Sequence, residues 1–232
     1  TSYPCSREWE AGDMQLGCAR NVPALTEAEC ALLRTKKVAV IGCGGLGGHI
    51  IDQLARIGVG ALSVVDGDVF EETNLNRQLL SSVPLLGISK ARAAAEHVAR
   101  VNPEVAVEAE ECFLDESNAA RLIGGCDIVA YALDNLPGRR ALAAACEEAG
   151  IPYVYGAISG WVAQAAVSMP GDGLIRRLFP EEITIRDKSV LSFTPALCAS
   201  MQVSLLVKVL TGRQVETGTV YYFDLLEQEF ET

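Results

Sequence analysis

The chain is short of positive charge, of aromatics, of histidine and of paired cysteines. Lys and Arg number 19 against 30 Asp and Glu, and the formal net charge is −11. A surplus of that sign argues against nucleic acid or an anionic membrane as the main partner. The two histidines, His49 and His97, fall within helical patterns and read as ordinary residues rather than as members of a Ser/His/Asp set. Eight cysteines, at 5, 18, 30, 43, 112, 126, 146 and 198, contain no C-x-x-C pair. Cys126 and Cys146 sit where elements should be buried, so they read as small core hydrophobes in a reducing compartment. A disulfide framework is not expected, and a cytoplasmic location is. Half of the residues are hydrophobic, yet no run approaches the roughly 20 uninterrupted apolar residues of a membrane span. Residues 1–10 carry charge and show no apolar core of a secretory signal. No internal repeat or low-complexity tract is present.

What is present is a strand, a glycine turn and a helix in that order. Lys37-Val38-Ala39-Val40-Ile41 is a short apolar run rich in β-branched residues, and Gly42-Cys43-Gly44-Gly45-Leu46-Gly47-Gly48 follows it. Leu46, Ile50, Leu54 and Ile57 then recur on one face of a 3.6-residue period, and Gly58 or Gly60 closes the helix. Glycines at such a turn let backbone N–H groups approach a polyphosphate, and the helix N-terminus adds about half a positive charge. A second strand over 61–65 delivers Asp66, near the roughly 20-residue spacing of a carboxylate that grips a ribose. Alone, Gly42-x-Gly44-x-x-Gly47 describes NAD, FAD and ATP sites equally.

Further along, Thr26-x-x-Glu29 has the form of a capping box for a short helix to about Arg34. Helices are expected over 87–101, with Ala91, Ala94, Ala95 and Val98 inward, from a cap at Asp115 to Gly124, from Pro137 to Gly150, and over 195–210. Strands are expected at 105–109, 127–133, 153–156, 160–169 and 219–225, the later ones as an antiparallel extension. Residues 170–194 read as a long polar loop, which in a compact domain is usually functional. Lys90 sits in a first helical turn, where a cation is disfavoured unless an anion lies nearby. At 232 residues the chain fits one α/β domain with a Rossmann-like mixed sheet, parallel in its N-terminal half and antiparallel in its C-terminal extension, with helices on both faces.

The residues after Asp66 narrow the class. Asp66-Gly67-Asp68 is followed by Asn74-Leu75-Asn76-Arg77-Gln78, by Lys90, and by Asp134-Asn135 after a fourth strand. An NAD-dependent oxidoreductase leaves that polar segment without a purpose, whereas breaking a phosphoanhydride needs cationic and amide donors. In this combination the chain resembles the ThiF/MoeB/HesA adenylyltransferases, bacterial relatives of ubiquitin-activating E1 enzymes, from about Arg20 to the last strand.

The resemblance implies a single adenylation domain over 1–232. It comprises an N-terminal arm and short helix (1–35), a nucleotide-binding half (36–150) and a carrier-binding half (151–232) with a crossing loop at 170–194. It implies ATP and Mg²⁺ as cofactors, and adenylation of the C-terminal carboxylate of a small ubiquitin-like sulfur-carrier protein ending in Gly-Gly. Thiamine and molybdopterin biosynthesis both remain open as pathways, and a peptide or tRNA carboxylate as other acceptors. An oxidoreductase and an inactive E1-like scaffold are the alternatives. Gly42, Gly44, Gly45 and Gly47 are expected to shape the nucleotide turn and Asp66 to take the ribose. Asn74, Arg77, Gln78 and Lys90 are expected to face the phosphates, and Asp134 to hold Mg²⁺. Asp68 and Asn135 join the nucleotide-binding set, and Arg20 reaches the site of the other subunit in a homodimer. The C-x-x-C pairs that hold a structural zinc in many members are missing, so no zinc is expected. Cys198, on a predicted helix, is expected to pack rather than to form a thioester. Gly156 and Gly160 are expected to leave room for the carrier tail.

Overall fold

The computed structural model describes residues 19–133, 136–178 and 189–232. Its centre is an eight-stranded sheet in the order β3-β2-β1-β4-β5-β6-β7-β8. The strands are β1 (Lys37–Ile41), β2 (Ala61–Val65), β3 (Ala106–Glu110), β4 (Ile128–Tyr131), β5 (Tyr153–Ser159), β6 (Val162–Ser168), β7 (Val220–Asp224) and β8 (Glu229–Glu231). The helices are α1 (Glu27–Leu33), α2 (Gly45–Ile57), α3 (Lys90–Val101), α4 (Ala119–Ile123), α5 (Leu136–Ala149), α6 (Leu174–Leu178) and α7 (Phe193–Leu210).

β1 is parallel to both of its neighbours, β2 and β4, and β3 and β5 extend the parallel part outward. From β5 onward every pairing is antiparallel, as expected from the sequence. Being central, β1 is buried on both faces. Val38 and Val40 join α2, α3 and α7 in one core, while Ala39 and Ile41 join α4 and α5 in the other. That two-sided burial is why the strand reads as a continuous apolar run. The chain leaves β1 toward β2 and later returns to the other side of β1 as β4. The carboxyl ends of β1 and β4 therefore flank a topological switch point, where open α/β sheets bind ligands.

The expected elements appear with shifted ends. The Thr26–Glu29 capping box is formed, and Gly58 ends α2 in the left-handed region at φ +89°. α3 begins at Lys90 under a Ser89 cap, with Gly87 in the preceding turn, and Ala93 is more deeply buried than Ala95. Asp115 does not cap α4; its carboxylate organises the turn ahead and Asn118 is the cap residue. The 170–194 stretch contains α6 and the start of α7, and its residues 179–188 lie outside the described residues. β8 gave no periodic signal, because all three of its residues are exposed.

α7 is long and apolar enough by length and composition to cross a membrane. Gln202, Ser204 and Lys208 interrupt its apolar run, and 56% of it is buried. It packs against α2, β4, β5 and β6 as one helix of the larger core.

Candidate active site

The turn after β1 needs glycine at two points for reasons of space. Gly42 has φ +98°, and a Cβ there would fall 2.6 Å from the carbonyl oxygen of Ala132 on the β4 side. A Cβ on Gly47 would fall 1.7 Å from the oxygen of Gly42, so only glycine lets α2 pack so closely on the turn. Gly44 and Gly45 differ. Side chains there would meet only Gln78, Arg77 and Pro195 at ordinary contact distance. They form a floor over which the 72–78 loop stands. The N-cap Gly44 offers no side-chain cap, so the first-turn amides of α2 have no capping side chain among the described residues.

Asp66 ties the ends of β1 and β2 together. Its Oδ2 accepts from the Cys43 N–H at 2.7 Å and its Oδ1 from the Asp68 N–H at 2.8 Å. A carboxylate has about four acceptor positions, so the pair of hydroxyls on a ribose can still be accommodated. Burial pushes the Asp66 carboxyl above its ordinary range, against the opposing pull of the two N–H donors and of Lys90. Lys90 opens α3 with its side chain buried. Its ammonium lies 3.1 Å from Asp68 Oδ2, and its own N–H donates to the Asp68 carbonyl. Asp68 is thus the anion that the position of Lys90 in a first turn called for, and a phosphate would compete with it for the ammonium.

The 72–78 loop divides its work. Asn74 is buried and turned into the loop: its side-chain oxygen accepts from the Glu71 N–H, and its carbonyl accepts from the N–H groups of Arg77 and Gln78. It is not a wall of the cavity. Arg77 stands over Gly45, with Nη1 donating to the Thr73 carbonyl and to Asn76 Oδ1 at 2.9 Å each. Gln78 is buried against Gly44, and its carboxamide oxygen has no hydrogen-bond partner among the described residues. A buried acceptor left in that state marks a place where a donor group is missing.

These groups line one cavity of about 320 Å³. Of the expected set, Gly42, Gly44, Gly45, Asp66, Asp68, Arg77, Gln78 and Lys90 are brought together on its walls; Gly47 lies beneath. Asp134 and Asn135 lie outside the described residues. Arg20 is exposed in a 3-10 turn, Ala19–Asn21, and is not a wall of this cavity. Gly156 is a wall, but the space its missing side chain leaves is filled by Gln202.

Sequence reasoning missed two walls. Arg139, in α5, is buried, donates to the Leu133 carbonyl at 3.0 Å and lies 5.2 Å from the centre of the Tyr131 ring. Its signal was the one that flagged Lys90, a cation near a helix N-terminus. At the other end Cys112, Phe113 and Leu114 form an apolar wall beside Asp66, with the Phe113 ring lying where a Cβ on Gly67 would stand. Only the glycine hinted at it.

Cys198 is fully buried and lies under β5 and β6, within 3.2 Å of the Gln164 carbonyl. Burial pushes its thiol up to about 12, which removes the thiolate character that a helix N-terminus lends an exposed cysteine.

Comparison with known proteins gives the geometry a lineage. Residues 18–232 match the ThiF family. The chain is 38% identical over 207 residues to the SAMP-activating enzyme E1 of Haloferax volcanii, covering 86% of this chain and 77% of that protein. It is 31% identical to the molybdopterin-synthase adenylyltransferase of Escherichia coli, covering 85% and 82%. Against the probable adenylyltransferase/sulfurtransferase MoeZ of Mycobacterium tuberculosis it is 34% identical and spans 54% of that longer protein. Among solved structures, PaaA superposes with TM-score 0.80 at 20% identity over 100% of this chain and 76% of that one. The Escherichia coli tRNA N6-threonylcarbamoyladenosine dehydratase TcdA gives 0.75 at 23% over 87% and 97%. At those identities the two structures speak for the fold alone. By that match over residues 18–232 and by those relatives, the chain belongs to the ThiF family, and with it to the E1-like adenylyltransferases.

Proposed function

We propose that this chain uses ATP to activate the C-terminal carboxylate of a small ubiquitin-like sulfur-carrier protein ending in Gly-Gly, as an acyl-adenylate, in thiamine or molybdopterin biosynthesis. One observation carries the reading: Asp66, Lys90, Arg77 and the carboxamide of Gln78 converge on the space above the Gly44–Gly45 floor. That set suits a ribose at one end and a polyphosphate at the other. The names of the SAMP-activating and molybdopterin-synthase relatives support a carrier protein as the acyl donor.

In the proposed step a carboxylate oxygen bonds to the α-phosphorus while the bond from that phosphorus to the bridging oxygen breaks, and pyrophosphate leaves with the electron pair. The carboxylate is already a nucleophile, so no general base is required. The chain's own task is to position the reactants and neutralise charge. The α2 amides and Asp66 orient the nucleotide, and Arg77, Lys90 and the Nε2 of Gln78 donate to phosphate oxygens. Arg20 serves the site of a second copy in a homodimer. Arg139 lines the same cavity as Gly156 and Ala157, and its guanidinium is assigned to the arriving carboxylate. Mg²⁺, held by Asp134, would supply further charge neutralisation on the phosphates.

The test is carrier-dependent ATP–pyrophosphate exchange. A Gly-Gly-ending sulfur carrier is expected to stimulate it, and a carrier lacking the last glycine is not. Asp134→Ala is expected to abolish it with the fold intact, and retained exchange overturns the metal role. ATP with Mg²⁺ is expected to raise the melting temperature and NADH to leave it unchanged. The reverse pattern would revive the oxidoreductase alternative, which the adenylyltransferase relatives do not support.

A further inference from the structure

Asn76 stands between Arg77 and the segment at residues 189–190. Its Oδ1 accepts from Arg77 Nη1 at 2.9 Å, and its Nδ2 donates to the Val190 carbonyl at 3.2 Å. The orientation of the amide follows from its partners, since a guanidinium only donates and a carbonyl only accepts. Val190 is itself a wall of the cavity. It bridges to Gly160 in the β5–β6 turn, whose N–H donates to the Ser189 carbonyl at 2.8 Å. Thr194 in α7 donates to the Gly160 carbonyl at 2.7 Å. One side chain therefore joins the arginine above the glycine floor to the 189–190 segment, and through it to the hairpin turn and α7. Neither Asp nor Ala can replace it, because a carboxylate has no donor for Val190 and a methyl group has neither function.

We propose that Asn76 is a positioning residue that couples the two halves of the site: the seating of 189–190 against the hairpin and the placement of the Arg77 guanidinium over Gly45 form one equilibrium. This rests on the reading that Arg77 serves a triphosphate. A substrate tail that seats against Val190 and Ile158 then tightens the grip on nucleotide, and bound nucleotide tightens the seat by the same factor.

The experiment measures ATP–Mg²⁺ affinity by calorimetry and amide hydrogen exchange at Gly160, with and without nucleotide, in wild type, Asn76→Ala and Asn76→Asp. In wild type, ATP is expected to slow exchange at Gly160 as well as at the glycine turn. Asn76→Ala is expected to lose about tenfold in ATP affinity, the scale of one hydrogen bond to a charged group, and to lose the response at Gly160. Asn76→Asp keeps an acceptor for Arg77. It is expected to hold ATP affinity within about threefold while the Gly160 response disappears. An equal Gly160 response in all three proteins overturns the coupling, as does an aspartate variant that loses as much ATP affinity as the alanine variant. A wild type that binds ATP and protects the glycine turn but not Gly160 overturns this inference alone. A wild type that binds no ATP overturns the functional reading beneath it, and the coupling with it.

Discussion

Gln202 occupies the place a side chain at Gly156 would take. A Cβ built on Gly156 would fall 2.3 Å from the carboxamide carbon of Gln202. Gln202 is fully buried, and its Nε2 donates to the carbonyls of Tyr131 at 2.8 Å and Val154 at 3.1 Å. Those carbonyls lie at the end of β4 and within β5, where the registered pairing of the two strands stops after Ala130↔Val154. The amide thus continues the junction of β4 and β5 behind the wall that Gly156 forms.

Gly156→Ala is therefore expected to destabilise the chain by about 1–3 kcal/mol, since the held amide cannot swing aside without abandoning two carbonyls. Thermal or urea unfolding would show it. The double variant with Gln202→Ala should fall well short of the sum of the two single losses, because the clash disappears with the amide. Strict additivity would contradict the contact.

The buried carboxamide oxygen of Gln78 predicts a trade between stability and binding. Gln78→Met keeps the volume and removes an unsatisfied acceptor, so the melting temperature of the nucleotide-free chain should rise while ATP affinity falls. A variant that loses stability would show that the amide has a structural partner instead.

If Asp66 takes the ribose as proposed, nucleotide affinity should depend on pH. Burial raises its carboxyl above the ordinary range, so the folded chain favours the protonated acid, and stability from this group declines as pH rises through the raised value. A ribose hydroxyl needs the ionised acceptor. ATP affinity should accordingly fall as pH drops through a value at which an ordinary aspartate is still charged. The ratio of ATP Kd values between wild type and Asp66→Asn isolates this from the titration of ATP itself, and a ratio constant from pH 4 to pH 8 would be evidence against it.

The N-terminal helix is tied to the rest by Glu29 and Arg213. Arg213 donates to both carboxylate oxygens of Glu29 and to the Ala24 carbonyl. The guanidinium bonds hold the Glu29 carboxyl down at about 2. A depressed folded-state value stabilises above the unfolded value near 4.5, and the contribution is lost as pH falls toward 2. The gap in melting temperature between wild type and Arg213→Ala should be largest at neutral pH and close between pH 5 and pH 2. A gap that persists at pH 2 would point to packing rather than charge.

Cys198 should be chemically silent. With its thiol buried and raised to about 12, it should escape iodoacetamide in the folded chain, whereas the half-buried Cys112 reacts. Cys198→Ala should retain carrier-dependent pyrophosphate exchange. A dithiothreitol-sensitive conjugate through Cys198 would contradict both statements.

Local pattern determined much of this protein without help. The apolar 37–41 run, the glycine cluster, the 3.6-residue stripe from Leu46 to Ile57 and the acid at 66 specify strand, turn, helix and strand through forces that act over a few residues. Steric limits at glycine, helix periodicity and capping are all of that kind, whereas the run after Asp66 was legible through its donor chemistry and its resemblance to a known family. Tertiary structure decided what each polar side chain does. Asn74 and Gln78 belong to one five-residue run, yet one is consumed in folding the loop and the other is buried with a carboxamide oxygen that has no partner among the described residues. Lys90 finds Asp68, Gln202 fills the place at Gly156, and Arg139 and Phe113 become cavity walls only because the sheet brings distant segments together. Sequence periodicity records which face of an element is buried; it carries no record of which atom, contributed from a hundred residues away, will lie opposite.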